Sequence, residues 1–335
     1  KTPEVAQSFK DPRVKHIRNE PNLGHLRNYN KGVEMARGKY VWLISADDRL
    51  RKPYALSKYV HFIENHPDVG FVFCSGVGLR DGREVGILEE YCWGAKDKII
   101  DGRCLICRAM QKSGGILSPS VMARKECYNT VSFFPLDMPH QGDLYMWYRW
   151  ALQYDAAYFA EPMVNYRLHA ESMMTQLLTH RVRIAVNDEL TVLWRIRDKA
   201  QERQLRTLVK QCRRGLALKY SQYVFGYFKA NEYRMSLEEC EESLLRNSGS
   251  ATEACWIRAR IYAYLAEAHF REQDLLKTRE YYRYALHQDP WMLKVWAKLL
   301  LLSTGKVGVQ IRRLTFAARH LLNRQAALQA FRFDQ

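Results

Sequence analysis

The sequence predicts an α/β domain followed by an all-helical region. In the first half of the chain, short apolar runs such as 40–44 and 69–74 alternate with amphipathic helical stretches. Alternation at these lengths is typical of a sheet with crossover helices. After Ser172, helical periodicity extends almost to the end, and turn residues are few. We therefore expect an α/β domain over residues 1–178 and a helical domain over residues 179–335.

The amino-acid composition is that of a basic, globular protein. The 335 residues are 47% apolar and 26% charged, which are globular values that fit two domains. The net charge is +16, of which residues 1–170 contribute +5 (24 basic minus 19 acidic) and the remainder +11. Such a charge favours an anionic partner, and no nucleic-acid-binding motif accompanies it. The eight scattered cysteines, with a single C-x-x-C at Cys104 and Cys107, favour reduced thiols and a cytoplasmic location.

Each element of the α/β domain has a local signal. Apolar runs bounded by turn residues predict strands, and spacings of three and four predict helices. Asp81-Gly82 is a hairpin signal. The predicted strands are 14–17, 40–44, 69–74, 116–122, 156–159 and 163–166. The predicted helices are 26–36, 53–65, 124–129 and 143–154.

The run 40–44 is apolar at every position, so it predicts a strand buried on both faces. It ends at two adjacent carboxylates, Asp47 and Asp48. Ligands gather at the carboxyl ends of strands in α/β sheets, and paired carboxylates repel unless a cation or water separates them. Oxygen ligands at such a place suit Mg²⁺ or Mn²⁺ with substrate phosphates. On this dipeptide alone, an exposed acidic turn is the alternative.

The helical half contains repeat-like spacing. Residues 259–290 fit one tetratricopeptide unit, and residues 216–245 form a weaker copy with a break near Asn231, so 216–290 is predicted to be tetratricopeptide-like. A generic helical bundle is the alternative. Residues 307–333 predict a last helix, which packs on the repeats or lies on an anionic membrane surface. Its predicted basic face comprises Arg312, Arg313, Arg319, Arg324 and Arg332.

Four stretches carry a resemblance to a known family. They are Asn22-x-Gly24-x-x-Arg27-Asn28, Gly38-x-Tyr40 to Asp48, Gly142-Asp143-x-x-x-Trp147-x-Arg149 and Tyr166-Arg167-x-His169. Their order and spacing resemble the family-two glycosyltransferases of the GT-A fold, inverting enzymes that use nucleotide sugars. The resemblance covers about residues 1–172. It implies a nucleotide-sugar-binding sheet in the first domain.

The resemblance also implies roles for individual residues. Asp47 and Asp48 match the D-x-D-type motif that holds a divalent metal and the sugar diphosphate, and Ser45 stands where the family often has a first Asp. His169 matches a position that contacts metal or phosphate. The residues matched to the donor pocket are Asn22, Gly24, Arg27, Asn28 and Asp47.

Asp143 matches the family's catalytic base, and Gly142 stands where the family has Glu. Because Asp143 begins a predicted helix, we expect the helix dipole to keep its carboxylate ionised. The alternative is that Asp143 only caps the helix.

The family begins with a strand, a helix and a second strand that ends in a base-reading Asp. Residues 1–9 resemble the segment that comes directly after those elements in the family. We therefore expect the chain to lack a βαβ-sized piece of roughly 50 residues, with the first strands of the sheet.

Together these features predict metal-assisted inverting transfer, with Mn²⁺ or Mg²⁺, from a nucleotide-sugar donor to a hydroxyl group. The acceptor is expected to be a glycan, a lipid-linked molecule or a protein, in the synthesis of a polysaccharide such as that of the cell envelope, a glycolipid or a glycoprotein. The helical domain is expected to select the acceptor or a protein partner, in the cytoplasm or at the inner face of the membrane. An inactive, truncated transferase that binds proteins or glycans remains the alternative.

Overall fold

The computed structural model describes residues 2–111, 115–226, 233–312 and 314–315. Within these residues, all strands of the sheet lie in the first half of the chain, and the second half is helical. The expected fold class is thus confirmed, with an α/β part followed by helices.

The α/β part begins with helices α1 and α2 and contains all seven strands of the described sheet. The strands are β1 (Tyr40–Trp42), β2 (Arg49–Leu50), β3 (Val69–Arg80), β4 (Arg83–Ile87), β5 (Lys98–Ile100), β6 (Met122–Arg124) and β7 (Asp155–Arg167). The helices are α1 (Thr2–Ser8), α2 (His25–Met35), α3 (Ala55–Glu64), α4 (Gly102–Gln111), α5 (Lys125–Val131) and α6 (Gly142–Ala151).

The sheet is mixed, with the order β1-β6-β3-β7-β2, and β4 and β5 pair with β3 and β7. Strands β3 and β7 run parallel, and the other pairs are antiparallel. Strand β3 is twelve residues long and buried except at Arg80. Its Phe71 and Phe73 pack into one core, whereas Val72 and Cys74 pack into another with α3. The sheet is therefore covered on both faces, as strand alternation requires.

Strand β1 is shorter and less buried than the sequence predicts. It ends at Trp42, only Val41 is buried, and Ile44 is 36% exposed. Among the described strands, β1 pairs with β6 alone and lies at an edge of the sheet. The prediction of a strand over 40–44 that is buried on both faces was wrong, because at the edge of the sheet fewer residues cover the side chains, and the residues on either side of Val41 in β1 are only half-buried.

Two other strand predictions were also wrong. Residues 14–17 have no regular structure, and Val14 and Ile17 are 48% and 46% exposed. In the predicted strand 116–122, residues Ser118–Ser120 form a 3-10 turn, and β6 begins only at Met122. Pro119 explains the latter, because proline donates no hydrogen bond to a sheet ladder.

The predicted hairpin and the last two predicted strands agree better with the structure. The Asp81-Gly82 turn joins β3 to β4, with φ angles of 50° and 79° that a mirror-image hairpin turn needs. The two strands predicted over 156–159 and 163–166 are one strand, β7, whose pairing with β3 shifts register midway.

The second half consists of helices joined by short connections. They are α7 (Met173–His180), α8 (Val182–Glu202), α9 (Arg206–Phe225), α10 (Leu237–Asn247), α11 (Ala251–Arg271), α12 (Leu275–Gln288) and α13 (Leu293–Ser303). Helices α11 and α12 pack along each other, and Leu265, Ala266, Tyr282 and Ala285 are buried between helices as the repeat spacing predicts. The tetratricopeptide assignment itself stays a prediction, and the predicted break near Asn231 lies outside the described residues.

One apolar core runs through both halves. It joins Phe71 and Phe73 of the sheet to Tyr148 of α6 and to Ile196 of α8 and Leu216 of α9. The predicted boundary at residue 178 falls inside α7, and the division into two domains stays a prediction. No helix in the described part of the chain is long and apolar enough to cross a membrane.

Most of the predicted basic helix over 307–333 lies outside the described residues, including Arg313, Arg319, Arg324 and Arg332. Arg312 is described, and it is not on an exposed basic face. It is only 4% exposed, with Nη2 3.1 Å from a carboxylate oxygen of Glu267 and its guanidinium carbon 3.7 Å from the ring centre of Phe270. Arg312 is therefore a buried packing residue whose charge is matched by Glu267.

Candidate active site

The acidic pair lies in a turn between β1 and β2. The Asp48 backbone N–H donates to the carbonyl of Ser45 at 3.0 Å, which closes the turn. From the end of β7, Arg167 donates through Nε to the carbonyl of Asp47 at 2.7 Å and through its backbone N–H to Oδ1 of Asp48 at 2.9 Å. Directly after the turn, β2 pairs with β7, with Arg49 opposite Asn165. Two of the predicted motifs therefore meet at one place in the fold.

His169 reaches the same turn. Its Nε2 atom lies 3.1 Å from Oδ2 of Asp47, and both side chains are partly exposed. Two potential metal donors thus face solvent side by side. The carboxylate of Asp48 instead accepts the Arg167 backbone N–H. Burial, reinforced by the charge of Asp47 and opposed by this hydrogen bond, raises the pKa of Asp48 to about 6.

The residues present fit an open cation site better than a closed one. Among the described residues, no group of three or more His, Cys, Asp or Glu side chains is arranged to hold a metal. Asp47 and His169 provide two donors. Mg²⁺ is usually held by one or two carboxylates, with phosphates and water supplying the other ligands. The donor set therefore suits a cation that binds together with a diphosphate.

Asp143 lies in the first turn of α6, and Gln141 is the residue at the N-cap. The carboxylate of Asp143 accepts the backbone N–H of Leu144 at 2.7 Å. Burial raises the pKa of Asp143 to about 6, although hydrogen bonds from Leu144 and from the Ser118 hydroxyl oppose the rise. With a pKa of about 6 the carboxylate is still mostly ionised at neutral pH, so the expectation that the helix dipole keeps it ionised stays a prediction.

Gly142 is buried just before Asp143. A Cβ atom there would lie 3.1 Å from a methyl carbon of Leu26 on α2. A larger residue at this position would therefore require the Leu26 side chain to shift.

Two tyrosines, Tyr29 and Tyr166, are influenced by both the acidic pair and Asp143. The hydroxyl of Tyr29 lies 3.1 Å from that of Ser45, and the charges of Asp47, Asp48 and Asp143 all add to the burial that raises the pKa of Tyr29. Burial and the same three carboxylates raise the pKa of Tyr166 to about 12. The three carboxylates therefore act on the same two tyrosines, and neither tyrosine was assigned a role from the sequence.

The sequence contains only weak indications that these two tyrosines belong to the site. Tyr166 belongs to the Tyr166-Arg167-x-His169 stretch without an assigned role, and Tyr29 directly follows Asn28. Between Tyr29 and helix α6 lies a small cavity of about 20 Å³, enough for roughly one water molecule. Its lining includes Tyr29, Leu43, Ser118, Asp143 and Trp147.

The residues predicted to bind the donor are only partly brought together. Asn22, Gly24 and Asn28 line an open cavity of about 870 Å³, whereas Arg27 is exposed outside its lining. Asn22 accepts the backbone N–H of Gly24 at 2.8 Å, and Asn28 accepts from the Asn19 amide at 2.8 Å. Gly24 has a φ of +72°, which favours glycine at the entry to α2.

The first comparison concerns a protein family. Residues 1–110 match the sequence profile of "Glycosyl transferase family 2". The matched segment contains the Asn22–Asn28 stretch and the Asp47-Asp48 turn. It ends before Asp143 and His169, so the profile does not cover the complete candidate site.

Individual relatives point the same way. The chain is 39% identical over 75 residues to an uncharacterized glycosyltransferase of Methanocaldococcus jannaschii, a match covering 22% of this chain and 26% of the relative. It is 29% identical over 163 residues to an uncharacterized glycosyltransferase of Haemophilus influenzae, covering 48% of this chain and 49% of the relative. An uncharacterized protein of Mycobacterium tuberculosis is 26% identical over 168 residues, which is 49% of this chain and 45% of that protein. The chain thus spans about half the length, or less, of these relatives. The matches support a glycosyltransferase.

Proposed function

We propose that this protein transfers a sugar from a nucleotide-sugar donor to an acceptor hydroxyl with inversion at the anomeric carbon. The supporting observation is that Asp47, Asp48 and Asp143 all raise the pKa of Tyr29 and Tyr166, while Tyr29 contacts the Ser45 hydroxyl and lines one cavity with Asp143. The Asp47-Asp48 turn belongs to the segment that matches the glycosyltransferase profile. One face of the fold thus offers carboxylates for two different tasks, one near the leaving group and one near the acceptor.

In this proposal, Asp143 is the general base. It takes the proton of the acceptor hydroxyl while that oxygen attacks the anomeric carbon from the face opposite the leaving diphosphate. A base works best when its pKa lies near the working pH, because it must be ionised and still bind a proton well. The raised pKa of Asp143, about 6, suits this role better than the ordinary value of an aspartate.

The other site residues would bind the donor. Asn22, Gly24 and Asn28, on the wall of the open cavity, and Arg27 beside it would contact the nucleotide part. Asp47 and His169 would hold Mg²⁺ or Mn²⁺ together with the donor's diphosphate. When bound, such a cation offsets the negative charge that grows on a leaving diphosphate. In this arrangement Asp48 keeps the turn tied to Arg167.

The acceptor is proposed to be a glycan, a lipid-linked molecule or a protein, as in the synthesis of cell-envelope polysaccharide, and the helices from residue 179 onward are proposed to select it. This half exposes aromatic and aliphatic side chains, among them Trp291, in the connection between α12 and α13, at 87% and Leu293, at the start of α13, at 75% exposure. Exposed aromatic rings suit contact with a glycan or a protein partner. We propose a cytoplasmic site of action, at the inner face of the membrane where the acceptor is lipid-linked.

The experiment that tests the proposal needs no identified acceptor. The protein is first screened by thermal shift against nucleoside diphosphates with Mn²⁺, and then incubated with the matching nucleotide sugars while release of nucleoside diphosphate is measured. We expect one base to raise the Tm in a Mn²⁺-dependent way and its sugar conjugate to release nucleoside diphosphate. No stabilisation and no release with any member of the panel would contradict the proposed function.

A further inference from the structure

The loop that precedes α6 is held by a buried carboxylate from α8. Asp188 is only 5% exposed. Its Oδ2 atom accepts the backbone N–H of His140 at 2.7 Å and that of Gln141 at 3.3 Å. A buried carboxylate is costly unless hydrogen bonds or charges compensate it. Here the compensation comes from the backbone of the loop.

Further contacts fix the same loop. Arg195, further along α8, donates through Nη1 to a carboxylate oxygen of Asp137 at 3.3 Å. On the opposite side, Nε2 of His25 on α2 lies 2.9 Å from the carbonyl oxygen of Pro139. The loop is therefore held at successive residues, by α8 from the helical half and by α2.

The position of Gln141 makes these contacts relevant to Asp143. Gln141 is the N-cap of α6, and its carbonyl accepts the first intrahelical hydrogen bond, from the Tyr145 N–H at 3.0 Å. Asp143 lies two residues later in the same turn. The backbone at Gln141 therefore sets the direction in which the first turn, and with it the Asp143 carboxylate, points.

We infer that Asp188 is a positioning residue that aligns Asp143 for proton transfer, so that the helical half of the chain completes the catalytic site. This inference rests on the proposed function. Small misplacements of a reacting group lower the rate strongly, even when the altered residue never touches substrate. A purely structural Asp188 would instead affect stability and leave the turnover of folded protein unchanged.

The test compares three variants. Asp188→Ala removes both hydrogen bonds to the loop, and Asp188→Asn keeps the shape and one acceptor oxygen but loses the charge. Asp274→Ala is the matched control, because Asp274 also accepts a backbone N–H at the start of a helix, that of Lys277 at 3.0 Å, in another part of the fold. Each protein is measured for amide hydrogen exchange at His140 and Gln141, and for kcat and KM of nucleoside diphosphate release.

We expect Asp188→Ala to exchange faster at both amides and to lose roughly 10- to 100-fold in kcat. The KM for the nucleotide sugar should stay within about twofold, because the donor contacts are intact. Asp188→Asn should fall between this variant and the wild type. Asp274→Ala should keep the wild-type kcat and the wild-type exchange at the loop, whatever its Tm.

Two results would overturn the inference alone. One is wild-type kcat in an Asp188 variant whose loop amides exchange faster, and the other is unchanged exchange at those amides. If Asp188→Ala does not fold, Asp188→Asn decides between the same outcomes. A wild-type protein that releases no nucleoside diphosphate from any donor would overturn the proposed function, and this inference with it.

Discussion

His169 and Asp47 lie side by side although 122 residues separate them in the chain, with Nε2 of His169 3.1 Å from Oδ2 of Asp47. Arg167 brings them together, since it binds the turn that carries Asp47 and lies two residues before His169. Neutral imidazole and carboxylate are both metal donors. The pair is therefore the proposed cation-binding part of the site.

The first prediction concerns this pair. Asp47→Ala and His169→Ala should each abolish most of the Mn²⁺-dependent rise in Tm caused by nucleoside diphosphate, because each removes one of two protein donors. At a ligand concentration of 100 Kd the stabilisation lost would be about 2.7 kcal/mol. His61→Ala is the control, since His61 is exposed on α3. Equal Mn²⁺-dependent shifts in all four proteins would remove Asp47 and His169 from the metal site.

The second prediction concerns the pH dependence of the rate. Since Asp143 must be ionised to act as a base, release of nucleoside diphosphate should rise with pH and level off above the pKa of Asp143, about 6. Ser118→Ala removes a hydrogen bond that favours the ionised form, so it should move this rise to higher pH. Ser57→Ala, at an exposed hydroxyl on α3, should not. A rate profile that Ser118→Ala leaves unmoved would contradict the assignment.

The third prediction concerns stability. The folded protein raises the pKa of Asp143 from 3.8 to about 6, so the native state holds the proton more tightly than the unfolded state. This contribution to stability is complete below the unfolded pKa and is lost as pH rises through the folded pKa. Asp143→Asn has no such proton to lose. Its free energy of unfolding relative to wild type should therefore improve between about pH 4 and pH 7, by roughly 1–3 kcal/mol.

Urea denaturation of both proteins at several pH values measures this difference directly. The carboxylate of Asp48 titrates in the same range, but it is present in both proteins and cancels. A difference that stays constant over the whole range would show that folding does not raise the pKa of Asp143.

The fourth prediction concerns the two halves of the chain. Limited proteolysis should cut near residues 175–181, where several side chains are exposed. Because one apolar core joins Phe71 and Phe73 to Ile196 and Leu216, the two fragments should stay associated on gel filtration. Fragments that separate under native conditions would show two independent domains.

The parts of the candidate site that lie in short sequence motifs could be predicted from the sequence. Asp47, Asp48, Asp143 and His169 stand in recognisable stretches, and the structure places the Asp47 turn beside His169 as those stretches imply. The hairpin at Asp81-Gly82 was equally predictable, because both positions need positive φ.

Features that depend on tertiary neighbours were not predictable. The run 40–44 looks like a central strand, but its burial depends on strand order, which local pattern does not encode. The pKa of Asp143 depends on burial created by residues distant in sequence. No sequence pattern indicates the role of Asp188, because its partners are two backbone N–H groups 48 and 47 residues earlier in the chain.

The most direct test of the central claim is kcat for Asp143→Asn. The substitution keeps the size of the side chain and removes the base, whereas Asp68→Asn makes the same change at an exposed position. Loss of a general base typically lowers the rate 10²- to 10⁴-fold, whereas loss of a helix cap costs about 1 kcal/mol of stability and little rate. We expect Asp143→Asn to bind nucleoside diphosphate with Mn²⁺ as wild type does and to lose at least about 100-fold in kcat. Near-normal kcat in a folded, donor-binding Asp143→Asn protein would contradict the assignment of Asp143 as the base.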